Sequence, residues 1–81
     1  MEKAFNYTAD MVIRNIKKIR HYKNYSQDFI ATKLDISQNA YSKIELGHSK
    51  ISLMRFFQIA SVLGVDESQL IKLDLSKLSR Q

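Results

Sequence analysis

In the stretch "SQNAYSKIELG", residues 37–47, Gln38, Asn39, Ser42 and Lys43 fall at i, i+1, i+4 and i+5. On a helix these four side chains leave one face together, while Ala40, Tyr41 and Ile44 point inward. Amides, a hydroxyl and an ammonium are the groups that pair with base edges in a duplex groove. Gln or Asn is bidentate to adenine, Lys meets O6 and N7 of guanine, and Ser suits either. None of the four adds negative charge beside phosphate. An ordinary solvated helix face offers the same residue types, so the elements around this stretch must decide between the two readings.

Those elements read as helical. Proline is absent, and the only glycines, Gly47 and Gly64, each follow an apolar-periodic segment, where a helix ends on a residue that tolerates positive φ. Val12, Ile16 and Ile19, flanked by Ile13 and Tyr22, mark the inner face of a first helix from about Ala9 to Lys23, with Arg14, Lys17 and Lys18 opposite. Ser26 is placed to cap a second helix of about 27 to 34, in which Phe29, Ile30, Lys33 and Leu34 follow the i, i+4 rule and Ala31 admits a close neighbour. Asp35 and Ile36 make a turn, and Ser37 caps a third helix of about 38 to 46. Ser52 opens a fourth, with Leu53, Phe56, Phe57, Ala60 and Leu63 at apolar spacing and Gly64 as its stop. Asp66, with Gln69 three residues on, has the form of a capping box for a short fifth helix ending near Ile71 or Lys72. Tyr41, Phe29, Phe56 and Phe57 are assigned to the core.

With 81 residues the chain supports one core. The expected division is an N-terminal extension over 1–8, a domain over 9–72 and a tail over 73–81. Cysteine is absent, which excludes disulfides and thiolate metal sites, and His21 and His48 are too far apart to form a metal site, so no cofactor is expected. No apolar run approaches the ~18 residues a membrane span requires, and "MEKAFNYTAD" lacks the apolar core of a signal peptide, so the expected location is cytoplasmic. No nucleophile elbow, phosphate loop or metal-ligand spacing occurs, and a bundle this small leaves little room for a substrate pocket, which argues against an enzyme. The charge balance points elsewhere. Thirteen Lys and Arg face eight Asp and Glu, for a net +5, and between Met11 and Arg55 the basic residues number nine against three acidic ones. Such a segment suits a polyanionic partner.

Two short helices joined by a tight turn, the second presenting polar side chains, form a helix-turn-helix unit. Over residues 11 to 72 the sequence resembles the DNA-binding domain of the Cro/C1-type repressors, the XRE family. The "SQ" that opens the second helix, Ala31 and Ile36, "SKIELG", and "ASVLGV" all fall in register and in order. The resemblance implies an all-α, five-helix bundle of the lambda-repressor-like type. It would bind double-stranded DNA as a homodimer on a near-palindromic operator, usually as a repressor. It also implies base reading by Ser37, Gln38, Asn39 and Lys43, with Ser42 on phosphate or base, and backbone contacts by Gln27, His48, Ser49 and Lys50. An ion pair between Arg20 and Glu45 is implied as well, in which a guanidinium forks onto a carboxylate and locks the first helix to the third.

One position departs from the family pattern. The turn residue that is usually glycine is Asp35, and the left-handed conformation costs a non-glycine residue about 1 kcal/mol. Two rival readings accompany the main one. The first is an antitoxin or other protein-interaction module with secondary DNA binding, whose protein partner would meet Leu73, Leu75 and Leu78; the second is a restriction-modification controller protein. Those three leucines either complete the core or form a dimer seam.

Overall fold

Hydroxyl side chains decide where the first four helices begin. A computed structural model describes residues 8–78; the rest of the expected extension and tail, 1–7 and 79–81, lies outside the described residues. Thr8 accepts a hydrogen bond from the Met11 N–H at the head of α1 (Ala9–Tyr22), and Ser26 accepts from Phe29 at the head of α2 (Gln27–Leu34). Ser37 does the same for Ala40 in α3 (Gln38–Glu45), and Ser52 for Arg55 in α4 (Leu53–Leu63). Each cap satisfies a first-turn donor that would otherwise have no partner. The short α5 (Glu67–Ile71) and a 3-10 turn (Leu75–Lys77) complete the described chain, which contains no strand among the described residues. The all-α class and the five-helix count expected from the sequence hold.

The stops are equally local. Gly64 ends α4 at φ 72°, and Gly47 follows α3 at φ 79°. Asp35 ends α2 at φ 60°, so the expected aspartate does occupy the left-handed turn. Asn24 adopts the same conformation after α1, which the sequence reading did not single out.

Every helix contributes to one core: Ile16 and Ile19, Ile30, Ala31 and Leu34, Tyr41 and Ile44, Ile59, Ala60 and Leu63, and Leu70. The second helix packs on α3 and α4, while α1 packs on α3, α4 and α5. Asn15 of α1 fastens α5 by donating from Nδ2 to the carbonyl oxygens of Leu70 (3.0 Å) and Ile71 (3.4 Å). Lys23 is buried, its Nζ 3.4 Å from where a Cβ on Gly64 would stand. The ammonium thus sits beside the C-terminal end of α4, where the helix dipole is negative.

Several expectations need correction. Leu53, Phe57 and Phe29 are not core: they are 70%, 48% and 38% exposed. Ala60 and Leu63 of α4 are buried as expected and Phe56 packs partly buried against the core, but packing against α1, α2 and α5 brings Ile59 inward in place of Leu53 and Phe57. At the surface Phe29 is flanked by Tyr25, tilted against it at 4.6 Å between centroids, and by Lys33, whose Nζ lies 5.5 Å over its ring. The Asp66–Gln69 capping box does not form. Asp66 makes no side-chain cap bond, and the Gln69 side-chain carbonyl instead accepts from the Asp74 N–H at 2.8 Å. Helix ends differ by one residue at Tyr22 and Glu45, where Lys23 and Leu46 serve as C-caps. Of the tail leucines, Leu73 and Leu78 pack on the core, and only Leu75 is exposed.

Replacing Gly64 by alanine is expected to cost about 1–2 kcal/mol in urea unfolding, because a Cβ is disfavoured at its positive φ. Gly64→Asn should lose less, since Asn tolerates that conformation.

Candidate nucleic-acid interface

The third helix is divided lengthwise by burial. Gln38, Asn39 and Lys43 are exposed and Ser42 is half-buried, whereas Tyr41, Ile44 and Glu45 are buried. The division follows from helical spacing, since 41, 44 and 45 share the face opposite 38, 39, 42 and 43. Ser37 stands one residue before the helix. Its Oγ is engaged as the cap, 3.0 Å from the Ala40 nitrogen, so its hydroxyl hydrogen is still free to donate outward. After the helix, His48 and Lys50 are exposed and Ser49 is half-buried, in the loop that leads to Ser52. The sequence-predicted residues from 37 to 50 therefore share one continuous segment with an outward polar face.

What holds that face outward is a single buried carboxylate. Glu45 is 3% exposed and accepts four hydrogen bonds. Arg20 of α1 forks onto it, Nε to Oε2 at 2.7 Å and Nη2 to Oε1 at 2.9 Å. Gln27, the first residue of α2, donates from Nε2 to Oε1 at 3.1 Å, and the Tyr41 hydroxyl donates to Oε2 at 2.7 Å. Arg20 also donates from Nη1 to the Tyr25 carbonyl at 2.9 Å, and its Nη2 lies 3.3 Å from His21 Nε2. No buried side-chain polar atom among the described residues lacks a partner. The Arg20–Glu45 pair expected from the resemblance is present, bidentate and buried.

The network perturbs its members in ways that follow from this geometry. Burial pushes the Glu45 carboxyl up, but hydrogen bonds from Arg20, Tyr41 and Gln27 outweigh it and hold the group below the usual glutamate range. Tyr41 is pushed well above the usual phenol range, first by burial and then by its bond to the Glu45 carboxylate. The Arg20 guanidinium is raised by its hydrogen bond to Glu45. At neutral pH the ion pair and the phenol therefore stay in their bonded forms.

Two members of this network were not foreseen. Tyr41 carried a readable signal, because it stands four residues before Glu45 on the same helical face. Gln27 carried none. Its position at the head of α2 was recognised, but the bond to Glu45 depends on how α2 and α3 pack. One of its amide hydrogens is committed to the carboxylate; the other, and Oε1, are free of that bond.

The exposed cations around α3 have no acidic partner among the described residues, where Arg20–Glu45 is the one ion pair. Lys33, Lys43 and Lys50 are exposed, and Arg55 is half-buried and donates to Gln58 at 3.1 Å. No group of acidic, histidine or cysteine residues among the described residues is placed to hold a metal, and none of their helices is long and apolar enough to cross a membrane.

Removing the Glu45 carboxylate should leave Arg20 buried and unpaired. Glu45→Ala is therefore expected to cost about 3–5 kcal/mol in urea unfolding at pH 7. Because the folded carboxyl titrates below its unfolded value, its stabilisation is full above the unfolded pKa of ~4.3 and disappears as pH falls through the lower folded value. Glu45→Gln should accordingly flatten the loss of stability as pH falls below about 5.

Comparison with known proteins agrees with this architecture. A family model described as helix-turn-helix matches residues 16–70, a span running from α1 to the last buried position of α5. The SPbeta prophage-derived uncharacterized HTH-type transcriptional regulator YonR of Bacillus subtilis (strain 168) is 35% identical over 57 residues, 70% of this chain and 53% of its own. Control protein C.MunI of Mycoplasma sp is 35% identical over 63 residues, 76% of this chain and 84% of its own. The chain thus spans about half the length of the first relative and most of the second. With the helical order, the inward carboxylate and the matched segment all in register, the chain belongs to the Cro/C1-type (XRE) helix-turn-helix family of DNA-binding transcription regulators.

Proposed function

We propose that this protein is a sequence-specific repressor that binds double-stranded DNA as a homodimer and reads the major groove with α3. The observation that carries the reading is the division of α3. Its one carboxylate is buried against Arg20, while its amides, hydroxyl and ammonium face outward. A helix so arranged can approach a polyanion without repulsion and offer donors to base edges.

In this reading Gln38, Asn39, Ser42 and Lys43 meet the bases, and Ser37 donates from the cap at the groove's edge. Gln27, His48, Ser49 and Lys50 hold the sugar–phosphate strand, Gln27 by the amide hydrogen that Glu45 does not use. Phosphate contacts supply most of the attraction, and α3 supplies the choice of sequence. A two-fold dimer presents two reading helices about 34 Å apart, one turn of the duplex, which suits a near-palindromic operator. Repression follows from occupying the ground that polymerase needs.

A restriction-modification controller protein is a second reading of the same chemistry. It is favoured by the match to control protein C.MunI, which covers most of both chains. The antitoxin reading draws less support, because two of the three tail leucines that motivated it are packed on the core.

Selection of binding sites from random duplexes should return a two-fold symmetric motif. Gln38→Ala or Asn39→Ala should relax preference at particular base pairs by about 1–3 kcal/mol each. Lys50→Ala should weaken all duplexes alike and lower the salt slope by about 1. A protein that shows no preference for any duplex over random competitor at about 100 mM salt would end the sequence-specific reading.

A further inference from the structure

The proposed homodimer needs a surface on which two copies meet, and exposed apolar side chains offer a short choice. Leu53, Met54 and Phe57 are 70%, 70% and 48% exposed, and they fall at i, i+1 and i+4 of α4, on one face. The other exposed apolar residues are dispersed. Phe29 lies beneath Lys33, Leu46 caps α3, Ile71 ends α5, and Leu75 sits in the 3-10 turn without its fellow leucines.

Charge separates this face from the rest of the molecule. The only charged residue in α4 is Arg55, half-buried and bonded to Gln58, and the other exposed residues of the helix are Gln58 and Ser61. By contrast, α1 exposes Arg14, Lys17 and Lys18. In a two-fold contact the same patch serves both partners, so residue i of one copy faces j of the other and the reverse. Two copies of a chain with net charge +5 repel, and a basic face would meet itself. A neutral apolar face is complementary to its own copy, and its lack of cations makes it a poor match for nucleic acid.

We infer that Leu53, Met54 and Phe57 form the homodimer seam, with α4 of one copy against α4 of the second. The inference rests on the DNA-binding homodimer of the proposed function and replaces the tail leucines as its contact. The face also adjoins the DNA-contacting loop of that reading, because Leu53 lines one groove with Gly47, Ser49 and Ile51. Dimerisation therefore sets the spacing between the two reading segments. Three large side chains per copy make a small contact, so the dimer dissociates on dilution and is completed on a two-fold site.

Sedimentation equilibrium tests this on the Met54→Gln/Phe57→Gln double variant, which changes no charge. Wild type should be a dimer at concentrations where the variant is a monomer. The variant should bind a full two-fold site on the order of a hundredfold more weakly, with affinity for an isolated half-site unchanged. Leu75→Gln should alter neither. The chain has no cysteine, so single substitutions give a second test that does not depend on weakening the dimer. Phe57→Cys should form a covalent dimer under mild oxidation, and Leu75→Cys should not. A double variant that dimerises like wild type would overturn the inference, as would dissociation caused by Leu75→Gln or a wild type that is monomeric with and without two-fold DNA. Failure of the DNA reading would appear separately, as wild type that dimerises through α4 yet prefers no duplex.

Discussion

The carboxylate of Glu45 is the constraint around which the rest of this molecule is arranged. An isolated buried carboxylate is costly, and this one is tolerable only because four donors from three helices converge on it. The requirement is mutual. Arg20 must rise from α1, Gln27 must open α2, and Tyr41 must lie one turn back on α3, or the charge has no place. A cluster that is only partly satisfied is worse than an apolar one. The network therefore acts as a test of correct assembly for α1, α2 and α3 together.

The same carboxylate gives α3 its two unlike sides. Glu45 is the only acidic residue of that helix, and its burial removes negative charge from the surface that would meet phosphate. Outside are donors that can exchange water for base edges; inside are Tyr41 and Ile44, packed into the core. Rigidity behind and polarity in front come from one helical register. Without the brace an eight-residue helix would be marginal in water, since helices this short owe their stability to tertiary packing.

Charge and apolarity are likewise separated between elements. The exposed cations of α1, α2, α3 and the following loop have no acidic partner among the described residues, which leaves their field available to a polyanion. The exposed part of α4 is instead uncharged. Under the proposed dimeric reading, a molecule that attracts DNA and also meets its own copy would benefit from keeping these two surfaces apart, because the charge that favours one contact opposes the other.

Local chemistry made most of the fold legible. Ser26, Ser37 and Ser52 were readable as caps and Gly47 and Gly64 as stops, because each depends on a few adjacent atoms, whereas the left-handed turn at Asp35 came from the family resemblance. The outward face of α3 was readable for the same reason: helical spacing alone separates 38, 39, 42 and 43 from 41, 44 and 45. Packing decided the rest. Which of the apolar residues of α4 turn inward and where the tail leucines settle depend on surfaces from distant parts of the chain. So does the bond from Gln27 to Glu45, which joins residues on two helices whose relative placement no local pattern encodes. By itself the sequence determined the helices, most of their ends and the polar face of α3, since these follow from backbone hydrogen bonding and periodicity. Only the tertiary structure decided how one buried charge is shared among three helices and which apolar side chains remain uncovered, because both depend on the simultaneous fit of all five.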